Sequence, residues 1–312
     1  MRNLMSVQFI TIDQSSSGQR VDNFLFKKLK GVPKSRIYRA LRKGEVRVNK
    51  KRVKPTSRLN IDDIVRLPPL SVASKQEITP PGDKLTQTIL NSIIFEDDNC
   101  LVINKPSGMP VHAGSGFNAG LIELLRLIKA DFSDLELVHR LDKATSGCLL
   151  IAKNRDFLTH CHDLLVSRAM CKQYLALVKG VWQGGVREVS LPLSKRSTAG
   201  ADNVMVVDSD GKPSVTIFTP VQVFAKSSLV MAYPKTGRMH QIRVHSAAIG
   251  HNIARDDKYG DDEFNIYIKE MGLNRLFLHA SKLSFDSSAG FKGLSVDAEL
   301  PDILSILIDK LN

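Results

Sequence analysis

The chain has 312 residues, 43% hydrophobic and 24% charged, a globular composition long enough for two domains and unlike that of a disordered chain. No apolar run approaches the roughly 18 residues a membrane-spanning helix needs, so none is expected. The net charge of +12, from 44 basic and 32 acidic residues, points to a polyanionic partner without separating nucleic acid from a membrane surface.

The charge is unevenly placed. Residues 1–70 hold 17 Lys/Arg against 5 Asp/Glu, a balance of +12, and the other 242 residues hold 27 of each. A basic module therefore precedes an electrically neutral one. The first twelve residues are mildly apolar but broken by Arg2, Asn3 and Gln8, and no small-residue cleavage pattern follows, so no signal peptide is expected. Cys100, Cys148, Cys161 and Cys171 show no Cys-x-x-Cys spacing, which predicts reduced thiols and a cytoplasmic location.

In the basic module Val21, Phe24, Leu25 and Leu29 fall at helical spacing, ended by Gly31. A second helix is predicted over 34–43, with Ser35 near its start, Ile37, Ala40 and Leu41 inward, and Gly44 past its end. Its remaining positions include Lys34, Arg36, Arg39, Arg42 and Lys43. Strands are predicted over 45–49 and 61–67, the first carrying Arg47 and leading into the turn Lys50-Lys51-Arg52. A solvated face usually mixes signs, yet Glu45 is the only acid between Asp22 and Asp62. The nine cations named here are thus candidates for binding phosphates. Pro68-Pro69 closes the module, and a second break at Pro80-Pro81-Gly82 makes 71–83 read as a stiff linker.

Arg20-Val21-Asp22-Asn23-Phe24-Leu25, Ser35-Arg36-Ile37 and Gly44-Glu45-Val46-Arg47-Val48-Asn49 resemble an S4 RNA-binding domain. The resemblance implies recognition of RNA by shape and phosphates.

The neutral part opens with strands at 93–96 and 101–103 around an acidic turn, then Asn104-Lys105-Pro106-Ser107-Gly108 and a glycine-rich stretch over 111–120. No Walker-type phosphate loop occurs, and Gly114-Ser115-Gly116 lacks the spacing of a hydrolase elbow. Asp142 lies in His139-Arg140-Leu141-Asp142-Lys143-Ala144-Thr145-Ser146-Gly147, between two apolar runs that would hold its loop in place. Turn residues are often Asp, Thr and Ser, but a simple turn has no need of His139 and Arg140. Farther on, Gly237-Arg238-Met239-His240-Gln241-Ile242-Arg243-Val244-His245 predicts a helix with Thr236-Gly237 at its start and Gly250 at its stop, Ile242, His245 and Ile249 sharing a stripe. His240 and His245 diverge on a helix and point apart on a strand, and His160 and His162 fare no better, so no metal is expected.

The segment around Asp142 resembles the signature of the RluA-type pseudouridine synthases. Asn104 to Gly108, Lys172-Gln173-Tyr174-Leu175-Ala176-Leu177-Val178, the Gly237 to His245 segment, Gly250-His251 with Asp257-Lys258-Tyr259-Gly260, and Arg275-Leu276-Phe277-Leu278-His279-Ala280 agree in order and spacing. Lys143, Met239, Asn252 and Arg255 depart from the usual residues, and none removes an ionisable group that the chemistry needs. The resemblance covers about 90–312. It divides the chain into an S4-like domain over 18–68, a linker over 69–89 and a catalytic domain over 90–312.

Uridine isomerisation breaks the N1–C1′ bond, turns the base and joins C5 to C1′. Reactant and product hold the same atoms, so no cofactor is implied. By resemblance Asp142 is the catalytic carboxylate, attacking C1′ or C6 or abstracting a ribose proton, three routes that remain open. Arg243, by resemblance, pairs with Asp142 and keeps it ionised. Tyr174, by resemblance, stacks on the uracil, whereas its alternating strand taken alone would place it in the core. Ile242 lines the base pocket or belongs to the core stripe. Arg140, by resemblance, fills the gap left by the flipped uridine, or binds phosphate, or does both.

The implied fold class is α+β, a small S4-like αL domain plus a catalytic domain with a mixed, mostly antiparallel sheet flanked by helices. Strand-like alternation over 214–224 and 228–233 without an intervening helix argues independently against a doubly wound sheet. The expected partner is large-subunit ribosomal RNA or its precursor, met by a monomer with no membrane or metal partner. The alternatives are a transfer-RNA substrate, a non-catalytic ribosome-assembly factor and a glycosidase. The last generally needs two placed carboxylates, and no second acid accompanies Asp142 in its motif.

Overall fold

In the computed structural model, residues 3–4, 6–29, 31–69, 71–72, 80–113, 119–129, 134–196 and 204–312 are described. The pair Gly114 and Gly116, and residues 73–79 of the expected linker, lie outside them. The chain divides into two units, Met1–Thr79 and Pro80–Asn312.

The first unit contains β1 (Asn3–Leu4), β2 (Gln8–Thr11), α1 (Val21–Lys28), α2 (Lys34–Lys43), β3 (Arg47–Val48), β4 (Ile64–Leu67) and β5 (Ser71–Val72). The apolar stripes of the two helices meet as their spacing predicts: Val21, Phe24, Leu25, Ile37, Ala40 and Leu41 are buried in one cluster with Ile12, Val46, Leu59 and Val65. Gly44 ends α2 in the left-handed conformation, φ +70°, which a side chain rarely adopts.

Two expectations need correction here. The strands at 45–49 and 61–67 shorten to β3 and β4, because Asn49, Lys50 and Asp62 take positive φ and turn the chain. The sheet is also three-stranded, in the order β2-β4-β3. Its third strand comes from the mildly apolar start of the chain, whose Ile10 packs on the core while Phe9 faces out.

The second unit begins with α3 (Asp83–Asn91), β6 (Ile93–Glu96), β7 (Cys100–Lys105), α4 (Leu121–Ile128), β8 (Glu136–Leu137), β9 (Ser146–Ala152), α5 (Arg155–Val166) and β10 (Cys171–Lys179). It continues with β11 (Arg187–Ser190), β12 (Leu193–Arg196), β13 (Val204–Val207), β14 (Val215–Val223), β15 (Ser227–Pro234) and α6 (Gln241–Ala248). It closes with α7 (Asp262–Glu270), β16 (Leu278–Phe285), β17 (Leu294–Asp297) and α8 (Asp302–Leu311).

A ten-stranded sheet runs β11-β14-β15-β10-β16-β9-β7-β6, with β17 beside β16 and β8 beside β9. Among the described residues β9 and β16 pair in parallel and the sheet's other pairings are antiparallel. This is the mixed, mostly antiparallel sheet expected. One core gathers β7, β9 and β16 with Leu121 and Leu125 of α4 and Phe157, Leu158 and Cys161 of α5. A second packs α7 and α8, through Phe264, Ile268, Leu304 and Leu307, on Leu177 and Leu229.

The parallel pairing places the site. Gly147, at φ +108°, lies so close to β16 that a Cβ there would stand 2.2 Å from the Ala280 carbonyl oxygen. Only glycine lets β9 begin there, directly after the Asp142 loop.

Candidate active site

The Asp142 loop is tied down by hydrogen bonds along its length. His139 Nε2 accepts the Leu150 amide at 3.1 Å, and burial pushes its pKa down to about 3, so the ring is a neutral tether. Lys105 is fully buried and its Nζ donates to the carbonyls of Pro106, Met109 and Lys143, at 2.8, 2.9 and 3.2 Å. Burial, then the nearby Arg275, pushes its pKa down to about 7, with Asp142 pulling the other way. Ser107 Oγ donates to the Ala144 carbonyl at 2.7 Å, and the Thr145 amide closes the turn onto the Asp142 carbonyl at 3.1 Å. A carboxylate on a loop held this way sits in a fixed position, 20% exposed.

Arg243 comes to Asp142 from α6. The predicted helix start at Thr236-Gly237 is corrected: α6 begins at Gln241, because the preceding residues form a cap loop. Gln241 Oε1 accepts from Thr236 Oγ1 at 2.7 Å and from the Arg238 amide at 3.1 Å, and His240 turns through φ +53°. The start signal belonged to that loop.

Arg243 is only 3% exposed. Its Nε and Nη2 form a two-pronged pair with Asp256, at 2.7 and 2.5 Å, and Nη2 also reaches Asp257 at 2.8 Å. Asp142 Oδ2 lies 3.7 Å from Nη1. The expected ion pair with Asp142 is therefore a longer contact made by a guanidinium that Asp256 holds. Burial opposes the charge on Arg243 and on Asp256, and their mutual hydrogen bonds overcome it, raising the pKa of the first and lowering that of the second.

Tyr174 sits on β10 beside a register shift, facing Ala232 and Ala280 across the strands. It is buried, and burial followed by the nearby Asp142 raises its phenol pKa. Ile242 is buried on α6. Arg140 is exposed. A cleft of about 490 Å³ brings Arg140, Asp142, Tyr174, Ile242 and Arg243 together, within the usual range for a small-molecule site, roughly 300–1,000 Å³. Ile242 thus both packs in the core and lines the cleft.

The lining also includes Arg168, Lys172, Lys235 and Arg238, and among the described residues Asp142 is its one acid. Two residues that sequence reasoning did not single out, and His240, which it weighed only as a metal ligand, complete the arrangement. Asp256 holds Arg243, His240 Nε2 lies 3.9 Å from Asp142 Oδ2, and Tyr259 Oη lies 2.8 Å from His240 Nδ1. All three stand inside or beside motifs already quoted, but nothing in their spacing tells which neighbour each would meet.

A family model described as RNA pseudouridylate synthase matches residues 99–248, and one described as S4 domain matches 19–65. Over 308 residues the chain is 47% identical to "Ribosomal large subunit pseudouridine synthase C" of Haemophilus influenzae, covering 98% of this chain and 95% of that protein. The chain belongs to the RNA pseudouridylate synthase family. The protein of the same name from Escherichia coli is 47% identical over 310 residues, 98% of this chain and 97% of that one. The solved structure of human RNA pseudouridylate synthase domain containing 4 superposes with a TM-score of 0.60 at 27% identity, covering 74% of this chain and 96% of that one.

As an RNA pseudouridine synthase, the enzyme carries its S4 domain in the first unit. Lys34, Arg39, Arg42 and Lys43 are exposed on α2, and Arg47, Lys50, Lys51 and Arg52 are exposed on β3 and the turn after it. Arg36 differs from them, being half-buried and paired with Glu45 at 2.9 Å. Among the described residues no helix is long and apolar enough to cross a membrane, and no group of three His, Cys, Asp or Glu could hold a metal ion.

Proposed function

We propose that this synthase converts uridines of large-subunit ribosomal RNA, or its precursor, to pseudouridine, with Asp142 as the catalytic carboxylate. The observation that carries the reading is the cleft itself, where one acid fixed on a tethered loop faces a buried guanidinium, an aromatic side chain and a ring of cations. The relatives named for large-subunit ribosomal activity, matching nearly the whole chain, support the choice of RNA.

The target uridine leaves its stack and enters the cleft, and Arg140 at the rim fills the space it vacates. Tyr174 and Ile242 hold the uracil between an aromatic and an aliphatic surface. Asp142 acts on the ribose or the base, the N1–C1′ bond breaks, and the turned uracil rejoins through C5. The C5 proton is lost and N1 takes one up, so atoms and electrons balance without a cofactor. Arg243 holds its positive charge 3.7 Å from the Asp142 carboxylate.

Docking falls to the S4-like domain over 18–68. There Lys34, Arg36, Arg39, Arg42, Lys43, Arg47, Lys50, Lys51 and Arg52 face RNA phosphates, with Arg36 exchanging Glu45 for RNA. The linker over 69–89, which ends within α3 of the second unit, leads to the catalytic domain over 90–312, and the enzyme works as a cytoplasmic monomer.

The test uses RNA tritiated at uridine C5. Release from large-subunit RNA and not from transfer RNA is expected. Release from transfer RNA alone would overturn the target, and full release by Asp142→Ala would overturn the site.

A further inference from the structure

The hydroxyl of Tyr259 determines which nitrogen of His240 carries the proton. Tyr259 Oη accepts the backbone amide of Met205 at 2.8 Å and lies 2.8 Å from His240 Nδ1. An amide N–H can only donate, so the phenol oxygen is already an acceptor there, and its own proton needs a partner. Among the described residues, an unprotonated Nδ1 is the acceptor in place. The opposite arrangement would aim two donors at the phenol oxygen and leave the phenol proton with no acceptor. The neutral imidazole therefore carries its proton on Nε2, the atom 3.9 Å from Asp142 Oδ2.

We propose that the Met205 amide, Tyr259 and His240 form an oriented hydrogen-bond relay ending in the His240 Nε2–H, and that this group is a second donor to the Asp142 carboxylate beside Arg243. His240 and Tyr259 are then positioning residues, and the proposal rests on Asp142 being the reacting carboxylate. Both donors converge on Oδ2, Arg243 Nη1 from 3.7 Å and His240 Nε2 from 3.9 Å. They close to hydrogen bonds when substrate fills the cleft, leaving Oδ1 to face the ribose.

Two further observations support the relay. His240 holds φ +53°, a conformation costly for a non-glycine residue, and it is this turn that delivers the ring to the cleft. Both donors also trace back to Asp256. Its carboxylate grips Arg243, and its Oδ1 accepts the amides of Lys258 and Tyr259 at 2.9 Å each, setting the position from which the phenol reaches His240. The groups facing the imidazole are Asp142, Asp256, Arg243, Lys258 and the Tyr259 phenol. Burial, the largest influence, lowers the His240 pKa, Arg243 and Lys258 act with it, and Asp142 and Asp256 act against it. The net direction is downward, which favours the neutral ring.

The tautomer can be read directly. In the full-length protein labelled with nitrogen-15 histidine and free of RNA, the His240 ring signals are assigned by their loss in His240→Gln. A protonated Nε2 and a bare Nδ1 at neutral pH are expected, with that preference weakened in Tyr259→Phe. A wild-type ring protonated on Nδ1, or one unchanged in Tyr259→Phe, would overturn the relay. In turnover, His240→Gln keeps a donor near the Nε2 position and holds kcat within about threefold. His240→Leu lowers kcat by about tenfold to a hundredfold with KM little changed. A leucine variant with wild-type kcat would overturn the positioning role. Activity surviving in Asp142→Ala would instead overturn the reading of Asp142, which the tautomer measurement does not touch.

Discussion

In the first unit Lys34, Arg39, Arg42 and Lys43 stand in water on one helix face, while in the second Arg243 is buried and tied to two aspartates. The exposed cations act as a sum, each screened by salt and replaceable by a neighbour. The buried one acts by position, since moving it leaves an unpaired charge in a low-dielectric site. The neutral net charge of the second unit also conceals a local excess. Cations dominate its cleft and Asp142 is the one acid lining it among the described residues. Net charge therefore identifies the kind of partner for the first unit and says nothing about the second, whose grip on RNA depends on where its charges face.

The sharpest way to break this contrast is to remove the one acid. Asp142→Ala should lower pseudouridine formation by about 10²–10⁴-fold with RNA affinity near wild type, measured by tritium release beside filter binding. A comparable loss of affinity would mean that Asp142 builds the binding surface instead of doing the chemistry. Next comes Asp256→Ala. It leaves Arg243 buried with only Asp257 and the more distant Asp142, and should cost about 3 kcal/mol of stability by the usual penalty for breaking a buried pair. Urea unfolding checks this, and a loss under about 1 kcal/mol would show that the guanidinium is less dependent on its anchor than its burial implies.

Acid sharpens the comparison in another way, because all eight histidines lie at His112 or beyond and the first unit has none. Burial pushes His139 and His279 down to about 3 and about 4. Above pH 6.5 both are neutral whether folded or unfolded. As pH falls below 6.5 the unfolded chain takes up protons that the folded chain refuses, so stability drops, by about 1–2 kcal/mol for each histidine between pH 7 and 5. Hydrogen exchange on the whole chain, corrected for intrinsic rates, should show protection lost in the second unit and retained in the first.

How much of this the sequence showed differs between the units as well. The helices of the first unit were legible because their apolar stripes and terminal glycines are local signals, and α2 falls on its predicted span. Its strands were not, because Asn49 and Asp62 turn left-handed through contacts with residues elsewhere, such as Asn49 Nδ2 donating to Asp63 Oδ1. In the second unit the motifs pointed to Asp142, Tyr174 and Arg243 through resemblance, and the cleft brings them together. The partner of Arg243 was hidden. Asp256 lies thirteen residues downstream, after the chain has turned at Gly250 and Arg255. The tight turn that follows it through Tyr259 and Gly260 folds back onto its carboxylate. A Cβ on Gly260 would meet the Asp256 carbonyl at 2.1 Å, so that tight turn depends on glycine. Pairings of this kind are made by tertiary structure, and no periodicity encodes them.

The smallest expected effect tests whether the surface cations act as a sum. Arg42→Gln changes one exposed position on α2, and RNA affinity should fall by about threefold or less, with the salt slope reduced by about 0.7–0.9 if one phosphate contact is lost. Removing Lys34, Arg39, Arg42 and Lys43 together should reduce the slope by close to four such steps while kcat stays near wild type. Arg36 provides the internal control. It is already paired with Glu45 at 2.9 Å, so binding RNA means giving up that pair, and Arg36→Gln should change the slope less than Arg42→Gln does. If the two variants instead behave alike, Glu45 does not compete with phosphate and the face is uniform. If Arg42→Gln alone removes most of the affinity, the first unit reads RNA by position, and the contrast between the units disappears.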